Sequence, residues 1–497
     1  MDNKNLKQKT ITGTFWQFMQ KTLGQVIHFG ISVVLARLLL PSDYGTVALA
    51  GMYTVFLGIF ISCGLGAALI QKKDVDDLDL CTIFWAQLVF ASIIYIFVFF
   101  TAPIFSDMFK DEHLTPILRV SALTMPLSAL GTIQGSIVSR RMAFKTYFYR
   151  TLVSSILSGI IGLGMAFYGF GAWALVGQHM SSTIIGTITV YSQVRWLPSF
   201  KFSRERFVNL FSYGWKFAGA SLIGTLFSQL RGYIIGFHYS KADLAFYNRG
   251  EGVPALISRN LTSSITSTLF PALTKLQDDK LAVKKGISRS MRTSSYLVMP
   301  LFLGLAAISD KLVPLLYTGK WNACIPFMQV ICIMDCISLL NSANLQALNA
   351  IGRADVVLKL EFIKKPFMIM ILAITAFISP MAICVGMLCH SIFTLIVNTF
   401  PNRKLISYPL KEQLMDILPN AILASIMAGL VYLIGMFLPF ADIITIVIQI
   451  VFGTIFYISV SHVGKNENYK FIKGTVIEFI RQKKTKLNKN VNSKEFS

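Results

Sequence analysis

The stretch Phe207 to Phe270, FVNLFSYGWKFAGASLIGTLFSQLRGYIIGFHYSKADLAFYNRGEGVPALISRNLTSSITSTLF, decides how this chain is read. It forms two membrane-long apolar segments joined by a polar turn, His238 to Asp243. Four cations interrupt it: Lys216, Arg231, Arg249 and Arg259. A charge at the centre of a bilayer costs roughly 3 kcal/mol on insertion scales. That cost is tolerated where the charge faces a wet cavity and meets an anion. The cations therefore predict a central cavity that receives an anionic lipid head group. The competing reading places them near span ends, with their heads reaching the interface.

Composition points the same way. The 497 residues are 54% hydrophobic and 14% charged, whereas roughly a quarter of a soluble protein is charged. Segments of the ~20 apolar residues needed to cross a bilayer recur about fourteen times. The expectation is an all-α polytopic membrane protein, with no room for a large soluble domain and no signal-peptide cleavage site after Lys4, Lys7 and Lys9. A net charge of +22 would suggest nucleic acid in a soluble chain. With the N-terminus inside, however, 35 Lys and Arg fall on cytoplasmic segments, 5 on the opposite loops and 6 within spans. This positive-inside bias predicts both termini in the cytoplasm and accounts for the charge without nucleic acid. The seven cysteines lack metal or framework spacing and read as small hydrophobes.

Working outward, span one (about Thr12 to Leu40) carries Gln17, Lys21, Gln25 and His28 on one helical face. Pro41-Ser42-Asp43 ends it. The loop Lys72 to Asp79 holds Asp74, Asp76, Asp77 and Asp79. These paired carboxylates are one way to build a metal–nucleotide-sugar site, but acids at a helix start favoured by its dipole are the expected reading. Span four, about Leu114 to Ser139, includes Arg119, Pro126 and Gln134. Glycines 159, 162 and 164 suit close helix contact rather than a nucleotide loop. In span eight, Arg249 and Arg259 share a face, with Glu251 nearby. Span ten carries Asp335, Ser338, Asn341, Asn344 and Gln346. Spans thirteen and fourteen read as peripheral, lipid-facing and without buried charge. Tyr469 to Ile480 reads either as an interfacial helix or as solvated tail.

The second half echoes the first. Trp16-Gln-Phe18 matches Trp215-Lys-Phe217, Ser42-Asp43-Tyr44-Gly45 matches Ala242-Asp243-Leu244-Ala245, and Thr115-Pro116 matches Ile325-Pro326. The order and near-constant offset predict a tandem duplication. The expected organisation is an N-lobe at 1–200, a C-lobe at 201–404, two added spans at 405–463 and a basic tail at 464–497. Transporters built from such repeats place their site at the repeat interface. No Walker-type loop, His-Glu-x-x-His zinc site or Ser/His/Asp set is present, so neither ATP hydrolysis nor other enzymatic chemistry is expected.

At Ala36-Arg37, Pro41-Ser-Asp-Tyr44-Gly45 and Ser139-Arg140-Arg141-Met-Ala-Phe144-Lys145, the chain resembles the polysaccharide-transporter (Wzx-type) branch of the multidrug/oligosaccharidyl-lipid/polysaccharide exporters. The resemblance covers nearly the whole chain. It implies a flippase of the bacterial plasma membrane that moves undecaprenyl-pyrophosphate-linked sugar repeats, alongside a polysaccharide polymerase and glycosyltransferases. Related lipid II flippases use cavity arginines for the pyrophosphate, a role carried here to Arg249 and Arg259. Together with Lys21, Lys216 and Arg231 these form the expected substrate-binding set. Glu251 and Asp335 are candidates for H+ or Na+ coupling, since a buried carboxylate can have its pKa raised; no other cofactor is expected. Two alternatives stand beside this reading. A cation-coupled drug exporter of the same fold would want more cavity carboxylates, and a membrane glycosyltransferase would use the Asp74 to Asp79 loop.

Overall fold

The computed structural model describes residues 3–474, 477, 478 and 481. The basic tail beyond 481, and residues 475, 476, 479 and 480 of the expected Tyr469–Ile480 segment, lie outside the described residues. Sixteen α-helices account for nearly all of what is described. The first eight are α1 (Asn3–Leu38), α2 (Pro41–Ser62), α3 (Leu65–Gln71), α4 (Asp77–Met108), α5 (Leu114–Ala122), α6 (Thr124–Arg140), α7 (Phe144–Phe167) and α8 (Ala172–Val194). The rest are α9 (Arg204–His238), α10 (Lys241–Thr274), α11 (Lys280–Tyr317), α12 (Ile325–Ala350), α13 (Ala354–Thr375), α14 (Pro380–Leu405), α15 (Leu410–Phe437) and α16 (Asp442–Val463). A 3₁₀ turn, Gly319–Cys324, leads into α12, and residues 467–474 are again helical.

Among the described residues, nine segments are long and apolar enough to cross a membrane, with α5–α6 counted as one and the 3₁₀ turn counted with α12. Five further helices, α1, α8, α9, α10 and α13, are 22 to 36 residues long but less apolar. Three of these five carry the cations of the expected binding set. The α5–α6 break has a local cause. Pro126 has no N–H to give the Ala122 carbonyl, and the helix interrupts at Leu123.

The chain divides into two units, one ending at Phe246 and the other beginning at Tyr247. In the first, α1 packs along α7 through small residues: a Cβ on Gly159 would meet Ile31 at 2.2 Å, and one on Gly24 would meet Thr151 at 2.9 Å. Leu65, Leu69, Ile83, Phe84, Ile133, Ile137 and Leu210 form a buried cluster that ties α3, α4, α6 and α9 together. Arg140 closes this end by donating to the carbonyls of Leu69 (2.7 Å), Ile70, Lys72 and Lys73 (2.8 Å), groups that a helix end leaves without intrahelical donors.

α9 packs with the first unit and is pinned there at three levels. At its start, Arg206 pairs with Asp76 and with buried Asp79 (3.2 Å), which also takes Lys72 at 2.6 Å. The Asp79 backbone N–H and the Arg206 guanidinium hold the Asp76 carboxyl below the usual carboxylate range. Further along, Gly64, at φ +66°, meets Gly214 so closely that a Cβ on Gly64 would sit 2.1 Å from the Gly214 carbonyl oxygen. Just beyond its far end, Lys241 pairs with buried Asp111 at 3.0 Å, and Thr46 donates to the same carboxylate at 2.6 Å. The repeated Ser/Ala-Asp motif has a common job. Asp43 accepts from the Leu40 N–H (3.0 Å) and Asp243 from the Ser240 N–H (3.1 Å), so each caps its helix start. Gly45 is glycine because a Cβ there would overlap the Lys241 carbonyl at 1.9 Å.

The second unit refines two sequence expectations. Span thirteen carries a charge at its start, partly buried and paired. Asp416 on α15 takes Arg292 of α11 at 2.6 Å, the Tyr408 hydroxyl at 2.6 Å and Ser288. Nor are the last two helices merely peripheral. Asn420 on α15 donates to Ser295 of α11 (2.8 Å), and Tyr457 on α16 donates to the Tyr296 carbonyl (2.9 Å). Their opposite faces do carry exposed apolar side chains such as Leu433 and Ile450.

The glycine contact gives a direct test. Gly64→Ala adds strain at a left-handed φ and an overlap with backbone, each an established source of destabilisation. We expect a loss of about 1–3 kcal/mol, read as a clear drop in melting temperature in detergent. Gly219→Ala, where nothing lies within 4 Å of the added Cβ, should melt like the parent.

Candidate functional site

The seven residues singled out from the sequence fall in both units. Lys21, Lys216 and Arg231 belong to the first, and Arg249, Glu251, Arg259 and Asp335 to the second. In the first unit, Lys21 and Gln17 of α1 are exposed. His28 Nε2, expected on the same stripe, lies 3.3 Å from the Ser155 hydroxyl of α7. Lys216 is exposed on α9 and Arg231 is half-buried.

On α10 the structure separates two arginines that the spacing had joined. The Arg249 guanidinium lies over two rings, Tyr317 at 4.8 Å and Trp321 at 4.9 Å from their centroids. Both rings are buried, and Gly250 beside Arg249 lets α10 close onto Phe327. The rings offer the cation their negative faces where water is scarce, which raises the value of the contact. Arg259, by contrast, is exposed and lines a cavity of about 580 Å³. Its companions there are Ser258, Thr262, Ser263, Thr266 and Ser267. They recur at i, i+3/i+4 and i+7/i+8, so one face of α10 presents hydroxyls around a single guanidinium. A guanidinium grips phosphate oxygens with paired N–H donors, while hydroxyls both donate to and accept from sugar hydroxyls.

Asp335 is half-buried and lines a second cavity, about 300 Å³, with Ser338, Asn341, Lys364, His390 and Asn398. Lys364 is the residue that sequence reasoning missed. It lies among the basic residues Arg353 to Lys365, yet α13 starts at Ala354 and leaves Lys364 only 4% exposed. Its ammonium donates to Asn398 Oδ1 at 3.2 Å and pairs with Glu361 at 2.5 Å. The readable signal was the Glu361–Lys364 spacing, one helical turn apart. Asn344, from the same predicted stripe, joins a neighbouring buried network with Gln413 (2.9 Å) and Asn402 (2.7 Å).

Three of the four carboxylates of the Asp74 to Asp79 loop are committed to structure. Asp76 caps α4, accepting from the Asp79 N–H at 2.9 Å, Asp77 accepts from the Trp196 indole at 2.8 Å, and Asp79 is ion-paired. Among the described residues no group of three or more His, Cys, Asp or Glu is arranged to hold a metal.

These features describe a helical, multi-pass membrane protein. A family model described as "Polysaccharide biosynthesis protein" matches residues 34–326, more than half of the chain, and the chain belongs to that family. It is 24% identical to the succinoglycan biosynthesis transport protein ExoT of Rhizobium meliloti, over 70% of this chain and 71% of that protein. It is 23% identical to the lipopolysaccharide biosynthesis protein WzxC of Escherichia coli, over 80% of each. Among solved structures, the lipid II flippase MurJ superposes with a TM-score of 0.71 at 15% identity, covering 91% of this chain and 98% of that one. A multidrug resistance MATE transporter of the MOP superfamily gives 0.59 at 12% identity, covering 77% and 94%. The fold is thus the MurJ/MATE fold, and the role is transport in the biosynthesis of surface glycans.

The two arginines should respond differently to truncation. Arg249→Ala removes a cation from two buried rings and is expected to cost about 1–2 kcal/mol, seen as a lower melting temperature. Arg259→Ala should leave melting unchanged. Equal melting of the two variants would contradict the assignment.

Proposed function

We propose that this transporter moves a diphosphate-linked oligosaccharide, carried on a polyprenyl lipid such as undecaprenol, from the inner to the outer leaflet of a bacterial plasma membrane by alternating access. The observation that carries the reading is the Arg259 cavity, where one guanidinium stands among five side-chain hydroxyls. That donor set suits a head group with phosphate oxygens at one end and sugar hydroxyls at the other. Lys21, Lys216 and Arg231 supply further positive charge on α1 and α9, and Arg249 contributes field from its aromatic seat rather than direct contact. The named roles of ExoT and WzxC in glycan biosynthesis support the substrate class. A drug exporter of the same fold would need carboxylates where Arg259 and its hydroxyls stand.

In this reading the nine apolar segments and the five more polar long helices make fourteen spans, divided at residues 200, 404 and 463, with both termini cytoplasmic. Coupling to H+ or Na+ falls to Asp335, which lines a polar cavity, or to Glu251 on α10. A polymerase and glycosyltransferases act before and after it on the same glycan.

The test is export in cells whose own copy is deleted. Arg259→Ala should cut surface polysaccharide by about tenfold or more, the scale of one charge-assisted contact, and lipid-linked repeat units should accumulate inside. Arg259→Lys should recover part of the loss. Wild-type export from Arg259→Ala and from Lys21, Lys216 and Arg231 alanine variants alike, at equal expression, would overturn the reading.

A further inference from the structure

A separate cavity of about 330 Å³ lies in the second unit, where α10 and α11 approach the helical segment 467–474. Thr268 of α10 and Arg289, Ser290, Thr293 and Ser294 of α11 line it, and Phe471 forms part of its wall. The α11 residues recur at i, i+1, i+4 and i+5, so they share one helical face. Every polar side chain in this lining is a hydroxyl or a guanidinium, and none is a carboxylate.

Two neighbouring cations on α11 are committed. Lys284 pairs with Glu412 at 2.6 Å and Arg292 with Asp416 at 2.6 Å. Arg289 has no carboxylate partner among the described residues. Its guanidinium instead lies 3.9 Å from the Phe471 ring centroid. The contrast with Arg249 matters, because Tyr317 and Trp321 are buried whereas Phe471 is 41% exposed. A half-exposed ring from a segment outside α1–α16 can be displaced at little cost in core packing. An aromatic face neutralises a cation only partly, and a phosphate accepting two N–H donors does so better.

We infer that Arg289, Thr268, Ser290, Thr293 and Ser294 form a second binding station for a phosphate or diphosphate head group, covered by Phe471 until the anion arrives. The identification of that head group as the diphosphate of the transported lipid rests on the proposed function. The head of an anionic membrane lipid offers the same phosphate chemistry, so the test separates the two sources.

Full-length protein in nanodiscs is titrated in three arms: inorganic pyrophosphate with neutral phosphatidylcholine, geranylgeranyl diphosphate in the same lipid, and phosphatidylglycerol without any diphosphate. Binding is read by thermal shift and by the fluorescence of a Phe471→Trp variant. Both diphosphate arms should show saturable binding that Arg289→Ala weakens by about tenfold or more, and Phe471→Ala should tighten it several-fold. Arg289→Gln, which keeps the side-chain stem, replaces Arg289→Ala if that variant does not fold. Binding indifferent to Arg289 would overturn the inference, and Arg289-dependent binding confined to the phosphatidylglycerol arm would overturn the identification of the head group as the transported diphosphate. If Arg259→Ala abolishes export while Arg289→Ala leaves diphosphate binding intact, this station falls and the proposed function stands. Arg289-dependent diphosphate binding alongside normal export from the Arg259 variants is the reverse case.

Discussion

A positive side chain cannot be left bare in hydrocarbon, and much of this structure consists of answers to that constraint. Arg119 rests on the Phe99 ring, 4.2 Å from its centroid, and donates to the Phe99 carbonyl. Arg249 sits against two buried rings, Lys364 takes a glutamate and an asparagine, and Arg292 takes an aspartate. Arg140 is spread over the carbonyls at the end of α3 and the loop after it. Arg259 is answered differently, with hydroxyls and open volume, and Arg289 with hydroxyls and a half-exposed ring. A cation left with hydroxyls is pre-arranged for an anion that arrives from outside. A cation given a carboxylate or a buried ring has already spent its charge on the fold.

This distinction separates binding from support within one helix. Ten residues apart on α10, Arg249 and Arg259 look equivalent as letters, because helical spacing reports a shared face and nothing about what lies opposite. Opposite Arg249 stand rings supplied by α11 and the 3₁₀ turn, about seventy positions further along the chain. The polar stripes on α1, α9 and α10 were legible because they violate the apolar rule of a span. Asp43 and Asp243 were legible as a repeated motif, and both acids cap a helix start.

What stayed hidden depended on distant partners or on helix boundaries. Lys364 looked like a loop cation because basic residues cluster from Arg353 to Lys365. Only the early start of α13 carries it inside, where Asn398 waits on α14. Asp416 escaped notice because its partner, Arg292, is 124 residues away. The Asp74 to Asp79 loop offered the opposite lesson. Four acids in six residues suggested chemistry, yet a cap, an indole contact and a buried ion pair account for three of them.

The meeting of Gly64 with Gly214 also has a mechanical meaning. Two backbones in direct contact leave no side chain to slide past, so α9 is held there as a lever is held at its fulcrum. From Gly214 to His238 the helix reaches roughly 36 Å. A tilt of about ten degrees at that point carries the far end sideways by roughly 6 Å. Such a swing would strain the close packing of Gly232 against Met52 and of Gly236 against Leu49, as well as the link between Lys241 and Asp111 at the end of the longer arm.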